Sequence, residues 1–60
     1  MNRLKEVRLS RNVSQQELAR KVKVSVSHLS KVENGERSLT LPLAARICKV
    51  LKCDTKDLFF

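Results

Sequence analysis

Aromatic residues are nearly absent from this sequence of 60 residues, which has no tryptophan or tyrosine and only two phenylalanines, Phe59 and Phe60, at its end. Proteins that bind single-stranded nucleic acids stack the bases on aromatic side chains placed along the binding surface. This chain has no such series. If its partner is a nucleic acid, the composition therefore favours duplex DNA.

Glycine and proline are equally rare, since each occurs once, as Gly35 and Pro42. The apolar residues do not alternate with polar ones, as they do in strands and hairpins, but recur three and four positions apart. This pattern predicts an all-α fold, a compact bundle of five short helices.

Groups that could hold a metal or perform catalysis are few. The only histidine is His28 and the only cysteines are Cys48 and Cys53, whereas a closed zinc site needs four such ligands. The sequence offers no paired carboxylates, Cys–His dyad or glycine-rich phosphate loop. We therefore expect no enzyme and no metal or cofactor. We interpret the cysteines as small core residues in a reducing compartment, in preference to a disulfide.

Long apolar runs are also missing. None approaches the ~20 residues that span a bilayer, and the segment Met1–Glu6 has no signal-peptide core. We therefore expect an intracellular, cytoplasmic protein.

Positive charge is what the chain has in excess. Its 13 Lys and Arg residues against 6 Asp and Glu give a formal net charge of +7. A small globule with this charge attracts polyanions, and nucleic acid is the leading candidate. An acidic protein or an anionic membrane ranks behind it. A membrane surface is disfavoured because the basic residues are spread over all the predicted helices and do not border one apolar stripe.

Start signals for the predicted helices are local and specific. Ser14 and Glu17 are spaced as a capping box, and Ser25, Thr40 and Asp54 are expected to cap the next three helices. With these signals, the helices cover about residues 2–11, 14–23, 25–34, 40–51 and 54–60.

Stop signals and apolar spacing complete the prediction. Asn12 and Gly35 suit the left-handed backbone in which helices end. Only Lys23 and Val24 join the second and third helices, so these helices must cross steeply, as in a helix-turn-helix. The inner face of the fourth helix is predicted to consist of Leu41, Ala44, Ile47, Cys48 and Leu51.

Two motifs carry a resemblance to a known family. Ser-Gln-Gln-Glu-Leu-Ala at residues 14–19 and Val-Ser-Val-Ser-His-Leu-Ser-Lys-Val-Glu-Asn-Gly at residues 24–35 closely resemble the Cro/C1-type (XRE-like) helix-turn-helix family of phage and bacterial repressors. The resemblance covers nearly the whole chain. It implies a single DNA-binding domain over residues 1–60 with the lambda-repressor-like fold. Lys23 is a departure, because the family usually has glycine there, and a positive φ at lysine costs about 1 kcal/mol.

The family resemblance also implies a function. We expect a sequence-specific transcriptional regulator, in particular a repressor, that binds duplex DNA as a homodimer on a pseudo-palindromic operator. Its third helix, about Ser25–Asn34, would lie in the major groove. The alternative is a protein-interaction module with the same fold, such as an antitoxin-like or bridging domain, which would show no sequence preference on DNA.

Three residues match the base-reading positions of the family, namely Val26, Ser27 and Lys31. Val26 would contact a thymine methyl group, Lys31 would donate to guanine O6 and N7, and Ser27 can donate or accept. The alternative is that Val26 is partly buried and Lys31 is only solvated.

Five residues match positions that contact the DNA backbone, namely Gln15, Ser25, His28, Asn34 and Arg37. Gln15 would reach a phosphate from the first turn of its helix, where the helix dipole also attracts anions. A plain polar role in the capping turn is the alternative for Gln15. His28 can equally pack its ring at the edge between the second and third helices.

Two further features follow from the resemblance and the composition. Arg8 and Glu33 match a structural ion pair that joins the first helix to the end of the third. Leu58, Phe59 and Phe60 form an apolar surplus at the C-terminus. We expect one phenylalanine to complete the core and the other to face a two-fold partner.

Overall fold

The structure, a computed structural model, describes residues 2–59 and contains five α-helices and no strand within that range. The prediction of an all-α fold with five helices is confirmed. The helices are α1 (Leu4–Ser10), α2 (Gln15–Val22), α3 (Val26–Glu33), α4 (Leu41–Leu51) and α5 (Thr55–Phe59). Among the described residues, no helix is long and apolar enough to cross a membrane.

The N-terminal caps differ from one helix to the next. Ser14 and Ser25 act as predicted, since each hydroxyl accepts the backbone N–H three residues later at 3.0 Å. Thr40 has the extended backbone of an N-cap, but its side chain makes no capping bond. At α5, Asp54 directly precedes the helix, at the position predicted for its cap. The side-chain bond there runs from the Asp54 N–H to the Asp57 carboxylate, at 3.0 Å.

Helices α1 to α4 all end in the same kind of turn, which we name after the helix that it ends. One residue of each turn has a positive φ, and the next residue donates its N–H to the carbonyl five positions back, which is a Schellman motif. These bonds measure 3.2, 3.0, 2.9 and 3.2 Å in chain order. The positive-φ residues are Asn12, Lys23, Gly35 and Lys52. Asn12 and Gly35 are stop residues predicted from the sequence.

One apolar cluster lies between the helices, and six of its large side chains are essentially inaccessible: Leu4, Leu18, Leu29, Ile47, Leu51 and Leu58. The prediction for α4 is correct at four positions and wrong at Leu41, which is 69% exposed while Leu43 is buried. Leu41 lies about 90° around the helix from the middle of the buried stripe, given 3.6 residues per turn. Its apolar side chain is therefore not evidence that Leu41 is buried.

Hydrogen bonds attach Asn2 and Arg3 to the rest of the bundle. The Asn2 side chain donates to the Val32 carbonyl at 3.0 Å, and the Arg3 N–H donates to the Leu58 carbonyl. Leu58 is buried and Phe59 packs half-buried against the core. Phe60, the other phenylalanine of the expected apolar surplus, lies outside the described residues.

Candidate nucleic-acid interface

Helices α2 and α3 form the helix-turn-helix predicted from their short connection. The turn contains Lys23 with φ 61° and ψ 44°, the left-handed conformation that the family resemblance implies for this position. The two helices pack through apolar residues that face inward, which are Leu18, Ala19, Val22, Leu29 and Val32. This packing holds α3 with its opposite side toward solvent.

The outer face of α3 carries the three residues predicted to read bases. Val26 is 40% exposed, and Ser27 and Lys31 are also exposed. At about 100° per residue, Ser27 and Lys31 lie opposite the buried Leu29 and Val32, whereas Val26 lies on the flank of α3, about 60° around the helix from Leu29. The structure therefore brings together a small apolar group, a hydroxyl and an ammonium group on one solvent-facing surface.

The beginning of α3 presents the residues Ser25 and His28. The Ser25 hydroxyl oxygen accepts from the His28 N–H at 3.0 Å, which leaves the hydroxyl hydrogen able to donate outward. Ser25 is exposed and His28 is half-buried. Half-burial is compatible with both predictions for His28, a phosphate contact and packing at the helix edge.

A buried carboxylate connects three helices behind this surface. Arg8 of α1 donates from Nε to Glu33 Oε2 at 2.7 Å and from Nη2 to Glu33 Oε1 at 3.2 Å. The two side chains are only 8% and 1% exposed. The Arg8 Nη1 group donates to the Val13 carbonyl at 2.9 Å. The ion pair is thus bidentate, and Arg8 is also held by the Val13 carbonyl. A bidentate pair fixes the relative orientation of its two side chains better than a single bond does.

Gln15 belongs to the same cluster, which the sequence did not indicate. Its Nε2 atom donates to Glu33 Oε1 at 3.1 Å, so Glu33 accepts from α1 and α2 together. An amide nitrogen carries two hydrogens, and this bond uses one of them. The other hydrogen can serve a ligand, while the bond to Glu33 restricts where the amide points. Gln15 and Glu33 are 18 positions apart, and no local pattern connects them.

The segment after α3 carries Asn34 and Arg37, and both residues are exposed. Its backbone is held by the Lys31 carbonyl, which accepts the N–H groups of Glu36 at 2.9 Å and Arg37 at 3.2 Å. The positive φ of Gly35 allows this tight return. Because Glu33 directly precedes Asn34, the cluster with Arg8 and Gln15 also fixes the start of this segment.

The charges of the helix-turn-helix favour an anionic partner. Among residues 14–37, Glu33 is neutralised in the buried pair and Glu17 lies 3.3 Å from Lys21. Exposed basic groups outnumber the remaining exposed carboxylate, that of Glu36. They are Arg20, Lys23, Lys31 and Arg37. The positive field is therefore present on the elements that form this surface.

Of the comparisons with known proteins, the one with family models agrees with this geometry. A search of curated proteins found no match to the chain. A helix-turn-helix family model matches residues 4–58 and so includes all of α1 to α4 and nearly all of α5. The chain belongs to the Cro/C1-type helix-turn-helix (XRE) family of DNA-binding regulators.

Proposed function

We propose that the chain is a sequence-specific repressor that places the outer face of α3 in the major groove of an operator. The single observation that carries this proposal is the exposure of three α3 side chains, Ser27 and Lys31 opposite the packed side of the helix and Val26 on its flank. A major groove admits a helix and presents a distinct pattern of donors, acceptors and methyl groups for each base pair. In this role Val26 contacts a thymine methyl, Lys31 donates to guanine, and Ser27 adjusts to either.

Contacts to the DNA backbone would fix the register of α3. Gln15 can donate its second amide hydrogen to a phosphate, because its first is held by Glu33. The Ser25 hydroxyl and His28 lie at one end of α3, and Asn34 and Arg37 follow the other. Phosphate contacts at both ends of a helix set its position, while base contacts provide the choice of sequence. The Arg8–Glu33 pair then acts as a positioning element for Gln15 and for the segment that begins at Asn34.

We further propose that two copies bind a pseudo-palindromic operator. A single α3 reads few base pairs, and a two-fold pair of such helices reaches half-sites about 34 Å apart. Such an operator, covered by protein on successive major grooves, is closed to other DNA-binding proteins, which is the simplest route to repression.

Selection of bound duplexes from a random pool, repeated at two salt concentrations, tests the proposal. We expect an enriched sequence with two-fold symmetry. We also expect the logarithm of the binding constant to fall with the logarithm of salt concentration, by about 0.9 for each phosphate contact. Binding without any enriched sequence would instead favour the protein-interaction module with this fold.

The variant Lys31→Ala tests the assignment of the outer face. We expect it to weaken binding to the selected site by about 1–3 kcal/mol and to relax one operator position. Lys49→Ala is the matched control, since it removes the same charge from an exposed position of α4. An equal loss of affinity for every sequence would make Lys31 a phosphate contact and contradict its base-reading role.

A further inference from the structure

The two cysteines meet where α4 ends and the chain turns toward α5. Cys53 donates a weak S–H···S contact to Cys48 Sγ at 3.4 Å. Its backbone N–H donates to the Cys48 carbonyl at 3.2 Å. Both cysteines are free, Cys48 being buried and Cys53 half-buried. The pair is thus held together twice, by its backbone and by its side chains.

The Schellman geometry of the α4 turn explains this proximity. In such a turn, one hydrogen bond joins an N–H to the carbonyl five positions back. The side chains of these two residues are brought together and are usually apolar. The corresponding pair in the α2 turn is Ala19 and Val24, which can only pack. In the α4 turn both positions are thiols. A disulfide needs the sulfurs to approach to about 2.05 Å, a short movement from their present separation.

We propose that Cys48 and Cys53 form a reversible intramolecular disulfide when the protein meets a low-molecular-weight disulfide such as oxidised glutathione. The reaction has two exchange steps. The Cys53 thiol loses its proton to solvent, and its sulfur attacks one sulfur of the small disulfide, so that one small thiolate leaves. The Cys48 sulfur then attacks Cys53 Sγ, gives its proton to the departing thiolate and releases the second small thiol. Two protein thiols are oxidised, and one small disulfide is reduced to two thiols.

The environments of the two thiols set the order of these steps. Burial, and next the neighbouring Cys53 thiol, raise the pKa of Cys48 to about 12. Cys48 therefore stays protonated at neutral pH and is shielded from solvent. Cys53 is the more accessible sulfur and reacts first. Cys48 enters second, as the resolving thiol, because its partner sulfur is already beside it.

The bond would connect α4 to the segment that leads into α5. Helix α5 contributes the buried Leu58, whose carbonyl also accepts the Arg3 N–H of the chain start. Closing a short loop at this point restricts the unfolded chain without touching the exposed face of α3. We therefore expect a rise in Tm of roughly 5–10 °C on oxidation and unchanged DNA binding.

Mass spectrometry of the folded protein after exposure to oxidised glutathione tests the proposal. The expected product is a monomer that has lost two hydrogen atoms, retains no glutathione, shows the higher Tm and returns to the dithiol with dithiothreitol. Cys48→Ser should stop at a single glutathione adduct on Cys53. Cys53→Ser should lose the rapid reaction altogether.

Three results would overturn the proposal. They are a stable glutathione adduct on the unaltered protein, a disulfide between two chains, and an oxidised monomer with a lower Tm than the reduced one. Circular dichroism of each variant checks that it is folded. If Cys48→Ser does not fold, Cys48→Ala supplies the same test without a buried hydroxyl.

Discussion

The four turns that end α1 to α4 share one backbone geometry but fall into two kinds. In the α3 turn the positive-φ residue is Gly35, and the residue that follows is the exposed Glu36. In the α2 and α4 turns the positive-φ residue is a lysine, followed by Val24 or Cys53, both of which pack against the core. Glycine makes the left-handed backbone inexpensive, whereas lysine does not. The comparison indicates that the apolar residue after each lysine offsets the conformational cost.

The α1 turn shows the same compensation together with a second anchor. Asn12 has the positive φ, and Val13 packs against the core. The Val13 carbonyl also accepts from Arg8, whose guanidinium binds Glu33. Arg8 and Glu33 thereby connect the α1 turn to the C-terminal end of α3, the helix that we propose reads DNA.

The largest expected effect follows from breaking this anchor with Glu33→Ala. Removing one partner of a buried ion pair lowers the free energy of unfolding by about 3–5 kcal/mol. The whole free energy of unfolding of a domain of this size is roughly 3–9 kcal/mol. Urea unfolding followed by circular dichroism measures the loss. The exposed Glu36→Ala is the control, with a change within about 0.5 kcal/mol. Equal urea midpoints for Glu33→Ala and the unaltered protein would contradict the structural role of the pair.

A smaller effect is expected from removing the apolar residue of a lysine turn. Val24→Ala deletes two half-buried methyl groups and should cost about 1 kcal/mol. The same deletion at the more exposed Val26 should change the free energy of unfolding by less than about 0.5 kcal/mol. Thermal unfolding of both variants checks the difference, and equal losses would remove the compensating role of Val24.

The smallest expected effect is a gain in stability, obtained by removing the backbone strain of the left-handed lysines in the α2 and α4 turns. Lys23→Gly and Lys52→Gly should each raise stability by about 0.5–1 kcal/mol, because the left-handed strain exceeds the added entropy of the unfolded chain. This corresponds to a rise in Tm of about 2–8 °C. Gly35→Ala should change stability in the opposite direction. A lower Tm for both lysine variants would show that these lysines make contacts worth more than the strain.

Local chemistry accounts for what could be predicted from the sequence. The caps at Ser14 and Ser25 connect atoms only three residues apart, so the residue types alone are enough to indicate them. The number of helices follows from the same kind of signal, whereas the turn at Lys23 follows from the short connection between α2 and α3 and from the family resemblance. Thr40 shows the limit, because a capping residue type occupies the cap position and its side chain makes no capping bond.

Tertiary geometry accounts for what could not be predicted. The bond between Gln15 and Glu33 depends on the angle at which α2 crosses α3, and no spacing rule contains that angle. The exposure of Leu41 depends on where the core ends along α4. The exposure of Val26, Ser27 and Lys31 on α3 could be anticipated from their positions, and their contact with bases is a prediction.

The shared carboxylate of Glu33 has a consequence for how this sequence can change. The Glu33 carboxylate belongs to α3 and accepts hydrogen bonds from Arg8 of α1 and Gln15 of α2, so that three helices meet at one acid. Losing the acid strands a buried guanidinium, and losing the base strands a buried anion, so each single step is unfavourable. Replacing both charged members together by apolar residues of similar volume avoids either orphaned charge. Substitutions at these positions should therefore be strongly non-additive, and variation there is expected to be concerted rather than stepwise.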